Sequence, residues 1–348
     1  MATGVASVLF ATNRRPGGVS NGITSFGDTA QDAKDPGLIC GAVEVDDIEI
    51  LSPSHGIINK MSKLTSGKFD DGAMNALADS KNDVLVFVHG TANAFEDAVT
   101  RAAYNKLWLG QAKLPGTNYD VIVFTWPSRA YEYWNLVEDF VDYRHDQAQA
   151  TDSAEQFGLF LDQVARVKEA IGQRKLNFLC HSMGNYMLAG AVEARMRRGA
   201  DPAVPLFDNA VLAAADEVAT TFTTPDNGRM ATLRKLARKI TVYFNYDDVL
   251  MAASHLANCD YRLGYDGPPN RADMKIFDQS TYSMVDCTGV DDYISSVFEQ
   301  PDRSHQYYRQ SPTVRFDIAQ TLAGLAPKRP RYDARTNAYS LFAQPLGV

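Results

Sequence analysis

A serine that follows an apolar run is the strongest candidate for chemistry in this 348-residue chain. Residues 176–185 are L-N-F-L-C-H-S-M-G-N, so a buried-strand pattern leads into Ser182 and then into a stretch that favours helix. Such a strand–turn–helix exposes the hydroxyl as a nucleophile when the residues two before and two after it are small. Gly184 meets this requirement, and Cys180 stands where glycine is usual. The spacing predicts a nucleophile at Ser182; the alternative is a plain turn with a serine near the helix N-cap.

A second apolar run ends in a turn whose backbone could stabilise negative charge. Residues 84–93 are V-L-V-F-V-H-G-T-A-N, and Gly90 lets the backbone approach another group closely. When such a serine attacks a carbonyl, one N–H from this loop and the N–H after the nucleophile bind the oxyanion. We predict that Thr91 and Met183 supply these two donors. The alternative is an ordinary turn at the end of a strand.

The proton of the serine hydroxyl must pass to an imidazole, and the chain has six histidines. In a strand–turn–helix site the order along the chain is serine, acid, histidine. That order disfavours the histidines that precede or adjoin the serine, which are His55, His89, His145 and His181. His255 lies on a predicted helix from which Ser182 is awkward to reach. His305 follows residues 282–288, a predicted last strand, so we predict that His305 is the base; the alternative is a solvated loop histidine.

Three carboxylates are candidates for the acid that orients the histidine. Asp247 and Asp248 follow the apolar run 239–245, the usual place for this residue, and Asp216 follows the preceding run. The acid holds the imidazole in one tautomer and stabilises its cation. We rank Asp248 first, Asp247 second and Asp216 third, and expect the unused carboxylates to cap helices or bind loop amides.

These residues need a scaffold, and the chain alternates short apolar runs with longer amphipathic stretches. Continuous apolar runs are typical of parallel strands covered on both faces. The alternation predicts a mostly parallel, doubly wound α/β sheet of about eight strands with helices on both faces. The predicted strands are Ser7–Ala11, Ile39–Val45, 84–88, 121–126, 176–180, 210–215, 240–244 and 282–288. The predicted helices are Phe95–Leu109, Ser153–Ile171, Met183–Arg197 and Thr232–Arg238.

We expect residues 1–348 to form one domain with its core at about 80–325, because no segment resembles a flexible linker. The sequence predicts a loop at 12–37, a loop-rich insertion at 255–300, and a tail at 326–348 that wraps the surface or extends from it.

An aromatic insertion at residues 129–150 lies between a predicted strand and the next helix. Pockets for small molecules are mostly apolar with a few polar anchors, so we expect this segment to form a cap or an acyl pocket. The alternative is a surface helix that packs its aromatic side chains on the body. The aromatic residues are Tyr131, Tyr133, Trp134, Phe140 and Tyr143.

The composition excludes several classes of function. The chain has 34 Lys and Arg against 42 Asp and Glu, a net charge of −8, so a nucleic-acid partner is not expected. No apolar run is long enough to insert stably in a membrane. Without a signal peptide we expect a cytoplasmic protein, and secretion is the alternative. Neither a zinc-type spacing nor a phosphate loop is present, so we expect no metal and no cofactor. Cys259 and Cys287 could pair in an oxidising compartment.

The motifs together resemble the bacterial α/β-hydrolases of domain-of-unknown-function family 900, which are described as esterase- or lipase-like. The resemblance covers roughly residues 80–325 and implies the α/β-hydrolase fold with a Ser/Asp/His triad, here at Ser182 and His305. The family pattern N-x-x-D matches Asn245 to Asp248, which favours Asp248 as the acid. The motifs are H-G-T at 89–91, F-T-W-P-S at 124–128, H-S-M-G-N at 181–185, A-A-A-D at 213–216, R-L-G at 262–264 and S-H-Q-Y-Y at 304–308.

The combined prediction is a serine hydrolase that cleaves small-molecule carboxylic esters through an acyl-enzyme, a carboxylesterase. A lipase, thioesterase or amidase with the same triad is the first alternative. A non-catalytic binding module with this fold is the second.

Overall fold

A mostly parallel β-sheet organises the protein. The computed structural model describes residues 4–31, 37–48, 56–130, 136–199, 204–223, 228–294, 302–329 and 331–343. Within these ranges the main sheet has eleven strands in the order β12-β13-β11-β10-β9-β8-β6-β7-β1-β4-β5. They are β1 (Gly4–Thr12), β4 (Ile39–Ile48), β5 (Ile57–Ser66), β6 (Asp83–Val88), β7 (Tyr119–Thr125), β8 (Leu176–His181), β9 (Phe207–Ala213), β10 (Ala237–Phe244), β11 (Tyr282–Asp286), β12 (Arg331–Asp333) and β13 (Ala338–Ser340). The two remaining described strands, β2 (Arg14–Ser20) and β3 (Ile23–Ala30), form a separate antiparallel hairpin.

The predicted fold class is confirmed, but the predicted number of about eight strands is too low. Every neighbouring pair from β1 across to β13 is parallel, whereas β4, β5 and β12 join antiparallel at the two edges. The missed edge strand β5 is largely exposed and polar, and β12 and β13 have only three residues each. Such strands lack the continuous apolar runs from which the central strands were predicted.

Helices cover both faces of the sheet. Successive side chains of β6 point to opposite faces, so Val86 packs with one buried cluster and Phe87 with the other. Helices α1, α3 and α4 contribute to the first cluster, and α2 and α10 to the second. The described helices are α1 (Asp71–Asp79), α2 (Phe95–Gln111), α3 (Leu136–Ile171), α4 (Gly184–Arg197), α5 (Leu233–Leu236), α6 (Val249–Asn258), α7 (Leu263–Asp266), α8 (Asp302–His305), α9 (Tyr307–Gln310) and α10 (Pro312–Leu322).

Two segments that we predicted to be irregular contain strands. Most of 12–37 is the β2–β3 hairpin, whose residues are mostly exposed and rich in glycine and polar side chains, so the apolar alternation of a strand is missing. The tail 326–348 does not simply wrap the surface. Its residues 331–340 contribute β12 and β13, and β13 pairs with β11 at the edge of the main sheet.

The aromatic insertion is helical from Leu136 onward, since α3 begins there and not at Ser153. Phe140 is exposed, whereas Tyr143 is partly buried against the core. The other three aromatic residues of the insertion, Tyr131, Tyr133 and Trp134, lie outside the described residues.

Two further expectations concern cysteines and membranes. Cys259 and Cys287 are both free thiols, the first exposed and the second buried, so they do not pair. Among the described residues, no helix combines the length and apolar character needed to cross a bilayer.

Candidate active site

Ser182 occupies a sharp turn between a buried strand and a helix. It follows β8 directly, and α4 begins two residues later at Gly184. Its φ of +54° lies in the left-handed region, which non-glycine residues seldom adopt. Two backbone hydrogen bonds fix the turn: Ser182 N–H donates to the Ala213 carbonyl at 3.0 Å, and Asp216 N–H donates to the Ser182 carbonyl at 3.1 Å. This is the conformation expected for a nucleophile elbow.

The close packing behind this turn explains the residues on either side of the serine. A Cβ atom at Gly184 would lie 2.6 Å from the His89 carbonyl oxygen and 3.2 Å from the Cys180 sulfur. Glycine is therefore required at position 184. Position 180 accommodates a cysteine side chain, which is completely buried.

His305 contacts both Ser182 and Asp248. Its Nδ1 donates to Asp248 Oδ2 at 2.8 Å, since a carboxylate only accepts, and its Nε2 is 2.9 Å from Ser182 Oγ. With Nδ1 protonated, Nε2 carries the lone pair and accepts the serine hydroxyl proton. All three residues are at most 2% exposed. The structure thus brings together the three residues ranked first for nucleophile, base and acid.

Asp248 is held by its position at the start of α6. It is the N-cap residue, and its Oδ1 accepts a hydrogen bond from Met251 N–H at 3.0 Å, leaving Oδ2 for His305. The two lower-ranked candidates have other environments. Asp247 is exposed, and buried Asp216 accepts a hydrogen bond from Ser254 Oγ at 2.5 Å.

The loop after β6 lies against the serine, as the predicted backbone donors require. A Cβ atom at Gly90 would be 2.6 Å from Ser182 Cβ and 3.2 Å from Ser182 Oγ. Only a residue without a side chain permits this approach. Thr91 follows in the same loop, and Met183 is the N-cap residue of α4. The N–H groups at the start of a helix have no intrahelical partner, so that of Met183 is available to a ligand.

Two histidines at the site are buried and neutral. Nδ1 of His89 donates to the Gly90 carbonyl at 2.7 Å and Nε2 accepts from Trp126 N–H at 3.2 Å, while the Trp126 indole donates to the His89 carbonyl at 3.0 Å. His181 donates from Nε2 to the His305 carbonyl at 3.3 Å and contacts that ring with centroids 4.7 Å apart. Burial lowers the pKa of both imidazoles well below 6.5. The contacts of His89 join the chain after β6 to the chain after β7, and those of His181 join the end of β8 to His305 in α8.

The remaining histidines lie apart from the serine or outside the described residues. His145 is 3.3 Å from Asp146 Oδ1, and His255 stacks on Tyr261 with centroids 4.7 Å apart. His55 is outside the described residues.

The R-L-G segment at 262–264 connects the chain that follows two neighbouring strands through backbone hydrogen bonds. A Cβ at Gly264 would lie 2.2 Å from the backbone of Ala214 and Ala215, so this glycine permits backbone contact. Gly264 N–H donates to the Ala215 carbonyl at 2.8 Å, and Asn245 N–H donates to the Gly264 carbonyl at 3.0 Å. The segment therefore joins the chain after β9, beside Ser182, to the chain after β10, beside Asp248.

An ion pair with a buried carboxylate adjoins this segment. Arg229 Nη1 donates to Glu217 Oε2 at 2.8 Å, and the Glu217 side chain is 1% exposed. Burial raises the pKa of Glu217 to about 7 despite the arginine charge.

Two buried charged residues near the serine were not predicted from the sequence. Arg14 on β2 and Asp146 on α3 are at most 1% exposed and contact the loops after β6 and β7. In the sequence, each is a charged residue in a segment without an apolar pattern. Only the tertiary contacts show which groups surround them.

A mostly parallel sheet with a serine on a strand–turn–helix at its carboxyl edge defines an α/β hydrolase. The chain belongs to the family described as "Alpha/beta hydrolase of unknown function (DUF900)", whose sequence model matches residues 71–323. The resemblance noted from the motifs is thereby confirmed. No curated protein matches the sequence significantly.

Similar solved structures exist, at low identity. One is "RedJ with PEG molecule bound in the active site", 11% identical, covering 71% of this chain and 90% of that chain with a TM-score of 0.33. Another is "Crystal structure of a C4-C4 SN3 tributyrin phosphonate inhibited by ESTERASE B from LACTOBACILLUS RHAMNOSIS", 13% identical, covering 71% of this chain and 78% of that chain with a TM-score of 0.33. Likeness at this level does not bear on what this chain does.

Proposed function

We propose that this protein is a serine carboxylesterase that cleaves small-molecule esters through an acyl-enzyme. The observation that carries the proposal is the pair of contacts made by His305, 2.9 Å to Ser182 Oγ and 2.8 Å to Asp248 Oδ2, in a buried setting. A hydroxyl whose hydrogen-bond partner is an imidazole oriented by a carboxylate is an activated nucleophile.

In the first half-reaction Ser182 Oγ attacks the ester carbonyl while His305 Nε2 takes the hydroxyl proton. The negative charge on the carbonyl oxygen is bound by the N–H groups of Thr91 and Met183, each such donor being worth ~10²–10³ in rate. The alcohol leaves with the proton from His305, and Asp248 stabilises the imidazolium between the two transfers. Water, deprotonated by the same imidazole, then hydrolyses the acyl-enzyme and frees Ser182.

The described part of the aromatic insertion supports a role in forming the substrate pocket. Tyr143 OH lies 3.0 Å from Ser254 Oγ on α6, so the first turns of α3 pack beside the helix that carries Asp248. We propose that residues 129–150 form one wall of the acyl pocket.

We also propose that the whole chain is a single domain, since β1 at the N-terminal side and β13 at the C-terminal side belong to one sheet.

Hydrolysis of p-nitrophenyl esters tests the proposal. Wild type should turn over a short-chain ester, and Ser182→Ala should lose on the order of 10⁶ in kcat. A fluorophosphonate should label wild type and not Ser182→Ala. An active Ser182→Ala variant would refute the triad, and a wild type that neither labels nor turns over would favour a binding module. A panel of esters, thioesters and amides of varied chain length separates the carboxylesterase from its catalytic alternatives.

A further inference from the structure

The carboxylate of Asp146 is completely buried and surrounded by donors from two loops. Its Oδ2 accepts from the Thr91 hydroxyl at 2.5 Å, from Ser128 Oγ at 2.6 Å and from Ala92 N–H at 3.3 Å. Its Oδ1 accepts from Arg129 N–H at 3.1 Å. One side chain of α3 therefore joins the loop after β6 to the loop after β7.

The loop after β6 has a conformation that needs such support. Ala92 has a φ of +57°, a left-handed conformation that costs a non-glycine residue free energy unless its surroundings enforce it. Asn93 adds two hydrogen bonds within the loop, from Nδ2 to the Gly90 carbonyl at 3.2 Å and to the Thr91 carbonyl at 2.5 Å. These contacts fix the peptide planes on either side of Thr91.

A buried cation completes the arrangement. Arg14 Nη2 donates to the Asn93 carbonyl at 2.8 Å, and its Nη1 donates to the Ser128 carbonyl at 3.0 Å. Burial lowers the pKa of Arg14 to about 10, and the charge of Asp146 is the largest influence in the opposite direction. Ser128, which binds both residues, lies between the two buried charges.

The same stretch of α3 also contacts the helix that carries the acid. Asn258 Nδ2 on α6 donates to Tyr143 OH at 2.7 Å, and Gln147 Nε2 donates to Asn258 Oδ1 at 2.9 Å. Residues 142–147 thus lie between the loop that holds Thr91 and the helix that begins after Asp248.

We propose that Asp146 is a positioning residue that sets the oxyanion hole by fixing the Thr91 backbone. The inference rests on the proposed function, because the oxyanion hole that Asp146 supports is part of that function. All the Asp146 partners on the loops are donors, so Asp146→Asn places an NH₂ group against at least one of them and leaves Arg14 without its nearby countercharge. Thr91 then no longer holds its N–H where the oxyanion forms.

The test compares Asp146→Asn with Asp162→Asn. Asp162 also lies on α3 but outside residues 129–150, and it pairs with Arg195, with no hydrogen bond to the Thr91 loop in the described part of the chain, so the same chemical change serves as a control. For p-nitrophenyl butyrate we expect kcat of Asp146→Asn to fall by ~10²-fold with KM unchanged, because the oxyanion hole acts in the transition state. The pH at which kcat/KM falls on the acid side should not move, since the Ser182–His305–Asp248 contacts are intact. Asp162→Asn should keep wild-type kcat.

If Asp146→Asn does not fold, Thr91→Val and Thr91→Ser test the inference instead. Valine removes the hydroxyl that Asp146 binds and serine keeps it, so kcat should fall in the first variant and be restored in the second. Equal kcat for folded Asp146→Asn and Asp162→Asn, or for both Thr91 variants, would overturn the inference while an inactive Ser182→Ala still upheld the triad. An active Ser182→Ala would instead overturn the proposed function itself.

Discussion

Asn245 donates its side-chain amide to the carbonyl of Ser304 at 3.3 Å, so the first residue of the N-x-x-D turn holds the residue directly before His305. The same side chain accepts from Asp247 N–H at 2.9 Å through Oδ1. A second bond, from Val249 N–H to Ser304 Oγ at 3.2 Å, fixes the same point. The turn after β10 therefore positions Asp248 and anchors the chain that carries His305.

Asn245→Ala should impair catalysis without removing any triad member. The variant removes the hydrogen bonds that Asn245 makes with the Ser304 carbonyl and Asp247 N–H, so His305 loses part of its anchor, and we expect kcat/KM to fall ~10-fold or more. Stability should drop by about 1–3 kcal/mol, because Asn245 is 1% exposed and its side-chain hydrogen bonds are lost. Ester hydrolysis and urea unfolding measure the two effects. Wild-type kcat/KM in a folded Asn245→Ala would show that the anchor is dispensable.

Exchange of aspartate for asparagine at three positions separates the candidate acids. Asp248→Asn should lose ~10⁴ in kcat, because an amide cannot hold the imidazole in the required tautomer or stabilise its cation. Asp247→Asn, at an exposed position, should stay within about twofold of wild type. Asp216→Asn should lower the melting temperature clearly and kcat only slightly, since Asp216 is buried against Ser254. A large kcat loss for Asp247→Asn alone would contradict the assignment.

Residues 180 and 184 should tolerate substitution very differently. Gly184→Ala inserts a methyl group 2.6 Å from the His89 carbonyl oxygen, so we expect a loss of about 1–3 kcal/mol in stability and much of the activity. Cys180→Ala removes a sulfur atom from the same contact and should retain activity within a few-fold. Thermal unfolding and p-nitrophenyl ester hydrolysis check both variants. Equal tolerance at the two sites would be inconsistent with the close approach behind the elbow.

Stability should depend on pH through Glu217. Burial raises the pKa of this carboxyl from 4.5 to about 7, so between these values the unfolded chain releases a proton that the folded chain keeps. The contribution of Glu217 to stability is therefore complete below pH 4.5 and is lost as pH rises through 7. Glu217→Gln removes this dependence.

Urea unfolding from about pH 5 to pH 8 measures the effect as the difference in stability between wild type and variant. The difference should change across this range for Glu217→Gln. Glu193→Gln is the matched control, because Glu193 faces the same Arg229 at 3.5 Å with its side chain 51% exposed. A pH-independent difference for Glu217→Gln, or an equal change for Glu193→Gln, would refute the role of burial.

The central strands and the three contacting residues of the site were predictable from the sequence. Runs such as 84–88 are apolar throughout because parallel strands are covered on both faces, and chain order limited the base to a histidine after Ser182. The acid was ranked only with the help of the N-x-x-D pattern. Asp247 and Asp248 are adjacent and follow the same strand. Their distance from that strand along the chain therefore cannot show which carboxylate turns inward.

The support of the site could not be predicted in the same way. Asp146 is one charge among several on an amphipathic helix, and Arg14 lies in a hairpin whose residues are mostly exposed. Their significance arises from partners more than fifty residues away in the chain, such as Thr91 for Asp146 and Ser128 for Arg14. Local patterns carry no information about such contacts.

Arg14 contacts the site but lies outside the region that the family model matches. The family region spans residues 71–323, yet Arg14 reaches the Asn93 carbonyl, and β1 pairs with β7 beside it. A fragment trimmed to the family region would keep Ser182, Asp248 and His305 but lose the Arg14 guanidinium that binds the Asn93 and Ser128 carbonyls. We therefore expect recombinant fragments and domain-swapped chimeras of this protein to need the N-terminal hairpin if the proposed oxyanion hole is to form.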